Sequence, residues 1–120
     1  MVAYLIGKRN KKMSDWKKAG KLSYFKKGCQ WLVDISNRPI ALFKYENNFY
    51  AIRNSCLHQG FPLAEGNVKK YMVECPLHGW TYDIRDGKCL STVNRQTDTY
   101  DVRIREEYVE IKLPDKDPAV

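Results

Sequence analysis

Two short stretches carry most of the information in this sequence: CLHQGFPLAEG at Cys56–Gly66 and CPLHGWTYD at Cys75–Asp83. Each contains a cysteine followed closely by a histidine, two positions later in the first stretch and three positions later in the second. The chain has no other histidine. Thiolates and imidazoles are the ligands shared by zinc sites and by some iron–sulfur centres, so the two stretches predict a metal site.

Two interpretations of this donor set stay open on the residues alone. A tetrahedral zinc site and a [2Fe–2S] cluster both accept two thiolates and two imidazoles. The glycines Gly60, Gly66 and Gly79 favour the bulkier group, because they let the backbone approach it closely. Small zinc modules also depend on their ion to fold, whereas this chain has ample apolar residues for a core of its own. These features favour the iron–sulfur cluster.

The rest of the chain is typical of short strands separated by turn residues. Turns are predicted at 36–39 and at Glu106–Glu107, and a hairpin is predicted around Glu46–Asn48. No window shows a long amphipathic helix, so the predicted fold class is all-β, a small sandwich of antiparallel strands. The predicted strands are a short edge strand around Trp16, then Cys29–Ile35, Ile40–Tyr45, Phe49–Arg53, Val68–Glu74, Thr81–Ile84, Tyr100–Arg105 and Tyr108–Leu113.

Length and composition fit one domain. The chain has 120 residues, of which 43% are hydrophobic. A domain of this size holds a core without disulfide bonds. The longest uninterrupted apolar run, Val2–Ile6, is too short for a membrane span or for the apolar part of a secretory signal. We therefore expect a cytoplasmic protein.

The net charge of +7 is concentrated near the N-terminus, where nine basic residues and one acid lie between Lys8 and Lys27. We expect residues 1–13 to form a solvated basic extension. A docking arm for an acidic redox partner is the alternative. Nucleic-acid binding is not expected, because no basic stripe interleaved with aromatic residues continues into the rest of the chain.

The paired motifs, C-x-H-x-G-x-P-L-x-x-G and C-P-L-H-G-W-x-Y-D, resemble those of Rieske-type ferredoxins, and the resemblance extends from about Trp16 to Leu113. It implies the Rieske fold over residues 14–113, with a cluster-binding subdomain at about 54–92. Residues 114–120 would form a C-terminal tail.

The same resemblance implies a [2Fe–2S] cluster and assigns its ligands. Cys56 and Cys75 would hold one iron, and His58 and His78 would hold the other. As in the family, the two imidazole rings would lie nearest the solvent.

Departures from the high-potential members of the family indicate a low reduction potential. Phe61 and Leu77 stand where those proteins carry a pair of disulfide-forming cysteines, and Trp80 stands in place of a serine that bonds a cluster sulfide. Tyr82 keeps a phenol within expected reach of the Cys56 sulfur. The predicted potential lies in the lower half of the Rieske range, at about −150 to +50 mV. The third loop, after Cys89, lacks the usual Gly-Pro-Ala, which leaves the cover over the cluster undefined.

The remaining cysteines, Cys29 and Cys89, are interpreted as small buried apolar residues. Trp31 is expected in the core, and Trp80 is expected to pack beneath the site. The predicted docking rim comprises Gln59, Phe61, Leu77 and Trp80.

The function implied is that of a one-electron carrier and not of an enzyme. Ring-hydroxylating oxygenases, which the HGWTYD segment also resembles, need a second iron held by two further histidines. The expected partners are a ferredoxin reductase and a terminal oxygenase or other redox enzyme, met transiently by a monomer. The alternatives are a Rieske-like small subunit of a larger oxidoreductase, such as a nitrite reductase, and a zinc-stabilised interaction module.

Overall fold

The segment Ile40–Phe43 lies at the centre of the fold, and all four of its side chains are buried. Successive side chains of a strand point to opposite faces. Ile40 and Leu42 therefore enter one hydrophobic core, while Ala41 and Phe43 enter another. Burial on both faces explains why this strand is continuously apolar in sequence instead of alternating.

The structure is a computed structural model and describes residues 16–114. Within this range ten strands form three antiparallel sheets. The strands are β1 (Trp16–Lys21), β2 (Gln30–Ile35), β3 (Arg38–Tyr45), β4 (Asn48–Arg53), β5 (Asn67–Lys69), β6 (Met72–Glu74), β7 (Thr81–Asp83), β8 (Thr99–Tyr100), β9 (Val102–Arg105) and β10 (Tyr108–Lys112). The sheet orders are β1-β10-β9, β2-β3-β4-β8 and β5-β6-β7.

The four-stranded sheet is the middle of three layers. Residues such as Val33, Ile40 and Leu42 pack on one side against Val109 and Ile111 of the β1-β10-β9 sheet. On the other side, β3 and β4 contribute to a second core that also contains the side chains of the small β5-β6-β7 sheet and both cysteines of the paired motifs. The predicted all-β antiparallel sandwich is confirmed, with the third, smaller sheet added to it.

Two tight hairpins set the register of the central sheet. β2 joins β3 through Ser36 and Asn37, and β3 joins β4 through Glu46 and Asn47. All four residues have positive φ, between 52° and 65°. Positive φ at both loop positions suits the right-handed twist of the flanking strands. The predicted hairpin is confirmed, but the first turn is shorter than predicted, because β3 already begins at Arg38.

The prediction of one strand over Val68–Glu74 is wrong. The chain folds back at Lys70 and Tyr71, so that β5 and β6 form a hairpin. Lys70 adopts a φ of 56°. Lysine is not one of the residues that favour positive φ in turns, so the sequence does not predict this turn. Tertiary contacts compensate: the Tyr71 ring packs edge-on against Tyr45 at 4.6 Å, and the Tyr71 carbonyl accepts the N–H of Ile84 at 2.9 Å.

The prediction of one strand over Tyr100–Arg105 is also wrong, although its alternation is real. β8 pairs with β4 of the central sheet, whereas β9 pairs with β10 of the outer sheet. The chain crosses between the two sheets at Asp101, whose carbonyl accepts the N–H of Lys112 at 2.9 Å. The alternation of apolar and polar residues continues while the pairing strand changes from β4 to β10. Such alternation does not reveal which strand is the partner. The turn predicted at Glu106–Glu107 and the strand beginning at Trp16 are confirmed.

Two short 3-10 helices, Leu22–Phe25 and Leu63–Glu65, were not foreseen. Phe25 is buried and packs edge-on against Trp31 and Phe49. Trp31 is half-buried at the margin of this core. No helix within residues 16–114 is long and apolar enough to cross a membrane. The predicted basic extension at 1–13 lies outside the described residues, as does all of the predicted tail except Pro114.

Gln30 ties the central sheet to the segment that follows the first cysteine–histidine motif. Its side-chain amide donates hydrogen bonds to the carbonyls of Ala64 at 2.6 Å and Gly66 at 2.9 Å. Both bonds are partly shielded from water, and both join residues more than thirty positions apart. One side chain therefore fixes where this segment lies against β2.

We expect Gln30→Ala to lower the free energy of unfolding by about 1–2 kcal/mol, because two carbonyls lose a donor that water replaces poorly. Denaturant unfolding measures the change. Gln96→Ala is the matched control, since the Gln96 amide also donates to a carbonyl, that of Asp86, but at an exposed position. The control is expected to cost less than about 0.5 kcal/mol. An equal loss in both variants would contradict the anchoring role of Gln30.

Candidate metal centre

The two cysteine–histidine loops share one backbone arrangement. In the first, the Cys56 carbonyl accepts the N–H of Gly60 at 2.7 Å, and the Cys56 N–H donates to the carbonyl of Phe61 at 2.8 Å. In the second, the Cys75 carbonyl accepts the N–H of Gly79 at 2.9 Å, and the Cys75 N–H donates to Trp80 at 2.8 Å. Both loops are thus closed at the same positions relative to their cysteine.

A glycine with positive φ makes each closure possible. Gly60 has a φ of 73° and Gly79 a φ of 76°. This left-handed conformation strains residues that carry a Cβ. The two glycines are therefore needed for the shape of the loops, whereas a Cβ at either position would make only ordinary contacts, at 3.7 Å for Gly60 and 3.5 Å for Gly79.

The four predicted ligands form two pairs. Cys56 and Cys75 are both buried, each 2% exposed, and their thiols adjoin in the core beneath the small sheet. His58 and His78 are both exposed, and their rings meet edge to face with centroids 4.5 Å apart. Within residues 16–114 no three His, Cys, Asp or Glu side chains converge as ligands of a single ion.

A paired arrangement fits the donor chemistry of a two-iron cluster. Such a cluster needs two thiolates on one side and two imidazoles on the other, whereas a tetrahedral zinc ion needs all four around one point. Buried sulfur and exposed nitrogen also match the expected polarity of the site, with the rings towards the solvent.

Tyr82 lies under the thiol pair, where the sequence analysis expected a phenol to reach the Cys56 sulfur. Its hydroxyl is 3.3 Å from Cys56 Sγ and accepts the N–H of Leu57 at 2.8 Å. Since the Leu57 N–H occupies an acceptor position, the hydroxyl hydrogen is free to point at sulfur. Tyr82 is fully buried, and burial raises its pKa well above the usual range, so it remains a donor.

The two thiols differ in their environment. Burial alone would raise the pKa of Cys56, but hydrogen bonds from Tyr82 and from the N–H groups of His58 and Gln59 outweigh it and lower that pKa. Burial dominates at Cys75 and raises its pKa above the ordinary value. The hydrogen bond from Tyr82 is the largest of the contributions that lower the pKa of Cys56.

The indole of Trp80 stacks on the ring of His58, with centroids 4.8 Å apart and an angle of 25° between planes. The sequence analysis expected Trp80 to pack beneath the site. Trp80 is half-buried and packs against the core that contains both thiols, and its indole also covers the exposed ring of His58. In the predicted rim, Leu77 is 49% exposed and Gln59 is exposed, with its Oε1 3.3 Å from His78 Nε2. Phe61 is only half-buried and packs against the core.

The two other cysteines behave differently from each other. Cys89 is 5% exposed and packs in the core near Tyr82, as predicted. The prediction that Cys29 is buried is wrong: it is exposed, because it lies just before β2, after the exposed Lys26–Gly28 segment. Its Sγ lies 3.9 Å from the side-chain oxygen of Gln30.

Sequence reasoning missed Asn54, which supports the first loop. Asn54 is buried, and its side-chain oxygen accepts the N–H of Ala64 at 2.7 Å. An asparagine directly after a strand and two positions before a predicted ligand cysteine is the signal that could have identified it, because a buried amide needs partners.

Comparison with known proteins identifies the family of this chain. A family model for the Rieske [2Fe-2S] domain matches residues 15–106. The chain belongs to the Rieske [2Fe-2S] domain family. It is 32% identical over 99 residues to the ferredoxin component of the naphthalene 1,2-dioxygenase system of Pseudomonas putida, covering 82% of this chain and 95% of the relative.

Two further proteins are similar over most of the chain. The ferredoxin subunit of anthranilate 1,2-dioxygenase from Burkholderia cepacia is 30% identical over 103 residues, covering 84% of this chain and 94% of that one. A chain from the complex of reduced oxygenase and oxidized ferredoxin in carbazole 1,9a-dioxygenase superposes with a TM-score of 0.76 at 25% identity. That alignment covers 86% of this chain and 97% of the other. The predicted Rieske ferredoxin and its fold are confirmed.

We expect Tyr82→Phe to lower the reduction potential by about 40 mV, the one-electron equivalent of about 1 kcal/mol, because a hydrogen bond to sulfur favours the reduced state. Redox titration followed by visible absorbance measures the shift. Tyr50→Phe is the control, since Tyr50 packs against the same core without a bond to either cysteine thiol. A potential that is unchanged in Tyr82→Phe, or shifted equally in both variants, would contradict the role of the phenol.

We expect acid to remove the stabilising effect of Asp83, which accepts hydrogen bonds from the Arg85 guanidinium at 2.8 and 3.0 Å. These bonds hold the pKa of Asp83 below its usual 3.8. A lowered carboxyl pKa stabilises the fold above the unfolded value and ceases to do so as the pH falls through the folded value. Thermal unfolding should show Asp83→Asn less stable than the parent at pH 7, with the difference shrinking below about pH 4.

Asp98→Asn is the control for this pH series. Asp98 is an exposed carboxylate that makes no ion pair with residues 16–114. Its difference from the parent protein should stay small at every pH. A difference for Asp83→Asn that is constant from pH 7 to about pH 3 would show that the carboxylate charge is not what stabilises the loop.

Proposed function

We propose that this protein carries one electron at a time between a reductase and a terminal oxygenase, through a [2Fe–2S] cluster held by two cysteines and two histidines. The observation that carries the proposal is the pairing of a buried thiol pair with an exposed imidazole pair on two identically closed loops. When bound, such a cluster takes up and gives back a single electron.

The ligand assignment follows the pairs. Cys56 and Cys75 would hold the inner iron, where the core excludes water from the thiolates. His58 and His78 would hold the outer iron, and the unliganded edges of their rings would face the solvent. The two closed loops keep these side chains in place, because each cysteine backbone is bonded on both its N–H and its carbonyl.

The residues at the exposed end support a transient redox contact. The ring edges of His58 and His78 offer the shortest path from the protein interior to a partner surface. Gln59 and Leu77 flank them, giving a small patch with one polar and one apolar side chain of the kind that weak electron-transfer encounters use. The relatives are named as components of dioxygenase systems, and one structural neighbour comes from a complex of oxygenase and ferredoxin.

Catalysis is assigned to the partner. The chain has two histidines, and the proposed cluster uses both, so no histidine is left for a separate oxygen-activating iron. The proposed domain covers residues 14–113, with a cluster-binding part at about 54–92 and a basic extension before it. We propose a monomer that acts in the cytoplasm, without binding nucleic acid.

Metal analysis and spectroscopy of matured protein test the cofactor. We expect two irons and two acid-labile sulfides per chain, a reddish-brown absorbance that bleaches on reduction, and a low average g value in the electron spin resonance of the reduced form. Cys75→Ala should lose all of these signals. Cys89→Ala should keep them, because Cys89 is a buried cysteine of the same core that is not assigned as a ligand.

Electron delivery tests the function itself. Reduced protein mixed with a terminal oxygenase of a ring-hydroxylating system should be reoxidised, with one electron leaving each chain. Zinc in place of iron in matured protein would refute the cofactor assignment. An intact cluster in a chain that co-purifies with a large catalytic subunit would instead identify a fixed subunit and refute the free carrier.

A further inference from the structure

Trp80 connects His58 to the third loop of the site. Its indole stacks on the His58 ring at 4.8 Å, and the same indole lies 5.8 Å from the guanidinium carbon of Arg95. The second distance is near the outer limit for attraction between a cation and an aromatic ring. One indole thus contacts both a proposed ligand and a cation.

The backbone holds the third loop against Trp80. The N–H of Cys89 donates to the Arg95 carbonyl at 3.0 Å, which closes the loop at its base. Two more bonds join it to the residue after Trp80: the Leu90 N–H donates to the Thr81 carbonyl at 2.7 Å, and the Thr81 N–H donates to Ser91 Oγ at 2.9 Å. The loop lacks Gly-Pro-Ala, but it is anchored next to the site.

No residue in the described range 16–114 forms an ion pair with Arg95. Its guanidinium has no carboxylate of this range within 4.0 Å, whereas the guanidinium of Arg85 is paired with Asp83. Arg95 therefore presents a net positive charge at the indole that covers His58.

We propose that Trp80 and Arg95 are positioning residues for the His58 side of the cluster, an inference that rests on the proposed function. Trp80 sets the plane of the His58 ring by stacking on it. Arg95, held over the indole, places a fixed positive charge close to His58. This charge favours the state that carries the additional electron, so Arg95 raises the reduction potential, and it does so only while Trp80 holds it in place.

The physical basis is the half-buried indole of Trp80, next to which the exposed guanidinium of Arg95 lies. A guanidinium is planar and weakly hydrated, so it remains on an aromatic face more readily than an ammonium does. An exposed cation without such support moves freely and is screened by water and salt. The effect of Arg95 should therefore depend on the indole as well as on its charge.

Reduction potentials of single and double variants test the proposal. Arg95→Gln should lower the reduction potential. Lys88→Gln is the matched control, because it also removes one exposed cation, the one that directly precedes Cys89 in the chain. Arg95→Gln should lower the potential more than this control does. The shift caused by Arg95→Gln should shrink in a Trp80→Leu background and at high ionic strength. An equal shift in both backgrounds, or a shift no larger than that of Lys88→Gln, overturns the proposal.

Two further variants keep the test decisive if Trp80→Leu does not retain its cluster. Arg95→Lys keeps the charge but loses the planar group, so its potential should fall below that of the parent protein, and an unchanged potential overturns the stacking role. Trp80→Phe should preserve the g values of the reduced protein if a stacked ring orients His58. Altered g values in Trp80→Phe together with an unchanged potential in Arg95→Gln overturn both roles.

The outcomes separate this inference from the proposed function. If the parent protein lacks the iron and sulfide signature, the proposed function fails and no potential is measured. If the signature is intact in every variant and the potentials do not respond as described, only the inference fails.

Discussion

The site depends on a backbone constraint that is used twice. In each cysteine–histidine loop a glycine N–H donates to the carbonyl of the cysteine four positions earlier, and the cysteine N–H donates to the carbonyl of the residue that follows the glycine. This closure turns both thiols inward and keeps the loops from opening. The histidine lies at a different step of each loop, so the two rings meet edge to face instead of lying in the same orientation. The shared closure of the two loops thus places both thiols on one side. The one-residue difference in the position of the histidine sets how the two rings meet on the other side.

The loops are also held from the side. Gln30 and Asn54 fix the segment after the first loop through the carbonyls and the N–H of residues around Ala64. Tyr82 binds the first loop from below, and the third loop is bonded to Thr81 beside the second. An electron carrier benefits from such rigidity, because a site that barely rearranges between its two charge states exchanges electrons with little reorganisation.

The sequence predicts those features that depend on short-range patterns. The paired motifs identify the family, and the alternation of apolar residues places most of the strands. Asn47 beside Glu46 locates the hairpin that β3 and β4 share. The sequence does not predict features that depend on distant partners. The chain turns at Lys70, where Tyr71 packs on Tyr45. It also passes from one sheet to another at Asp101, after Tyr100. Cys29 looks apolar in sequence, yet its position before β2 leaves it exposed. The cation of Arg95 also escapes prediction, because the third loop brings it to Trp80 only in the folded chain.

The central strand β3 contributes side chains to both cores. Ile40 and Leu42 lie on one face of the strand, and Ala41 and Phe43 lie on the other. The half of the protein that bears the cysteine–histidine loops is consequently not an independent unit. Transplanting the loops with their small sheet onto another scaffold would require a host strand that supplies the same inner face. A minimal redox module cut from this chain would have to keep β3 and acquire a new polar outer surface in place of the lost sheet.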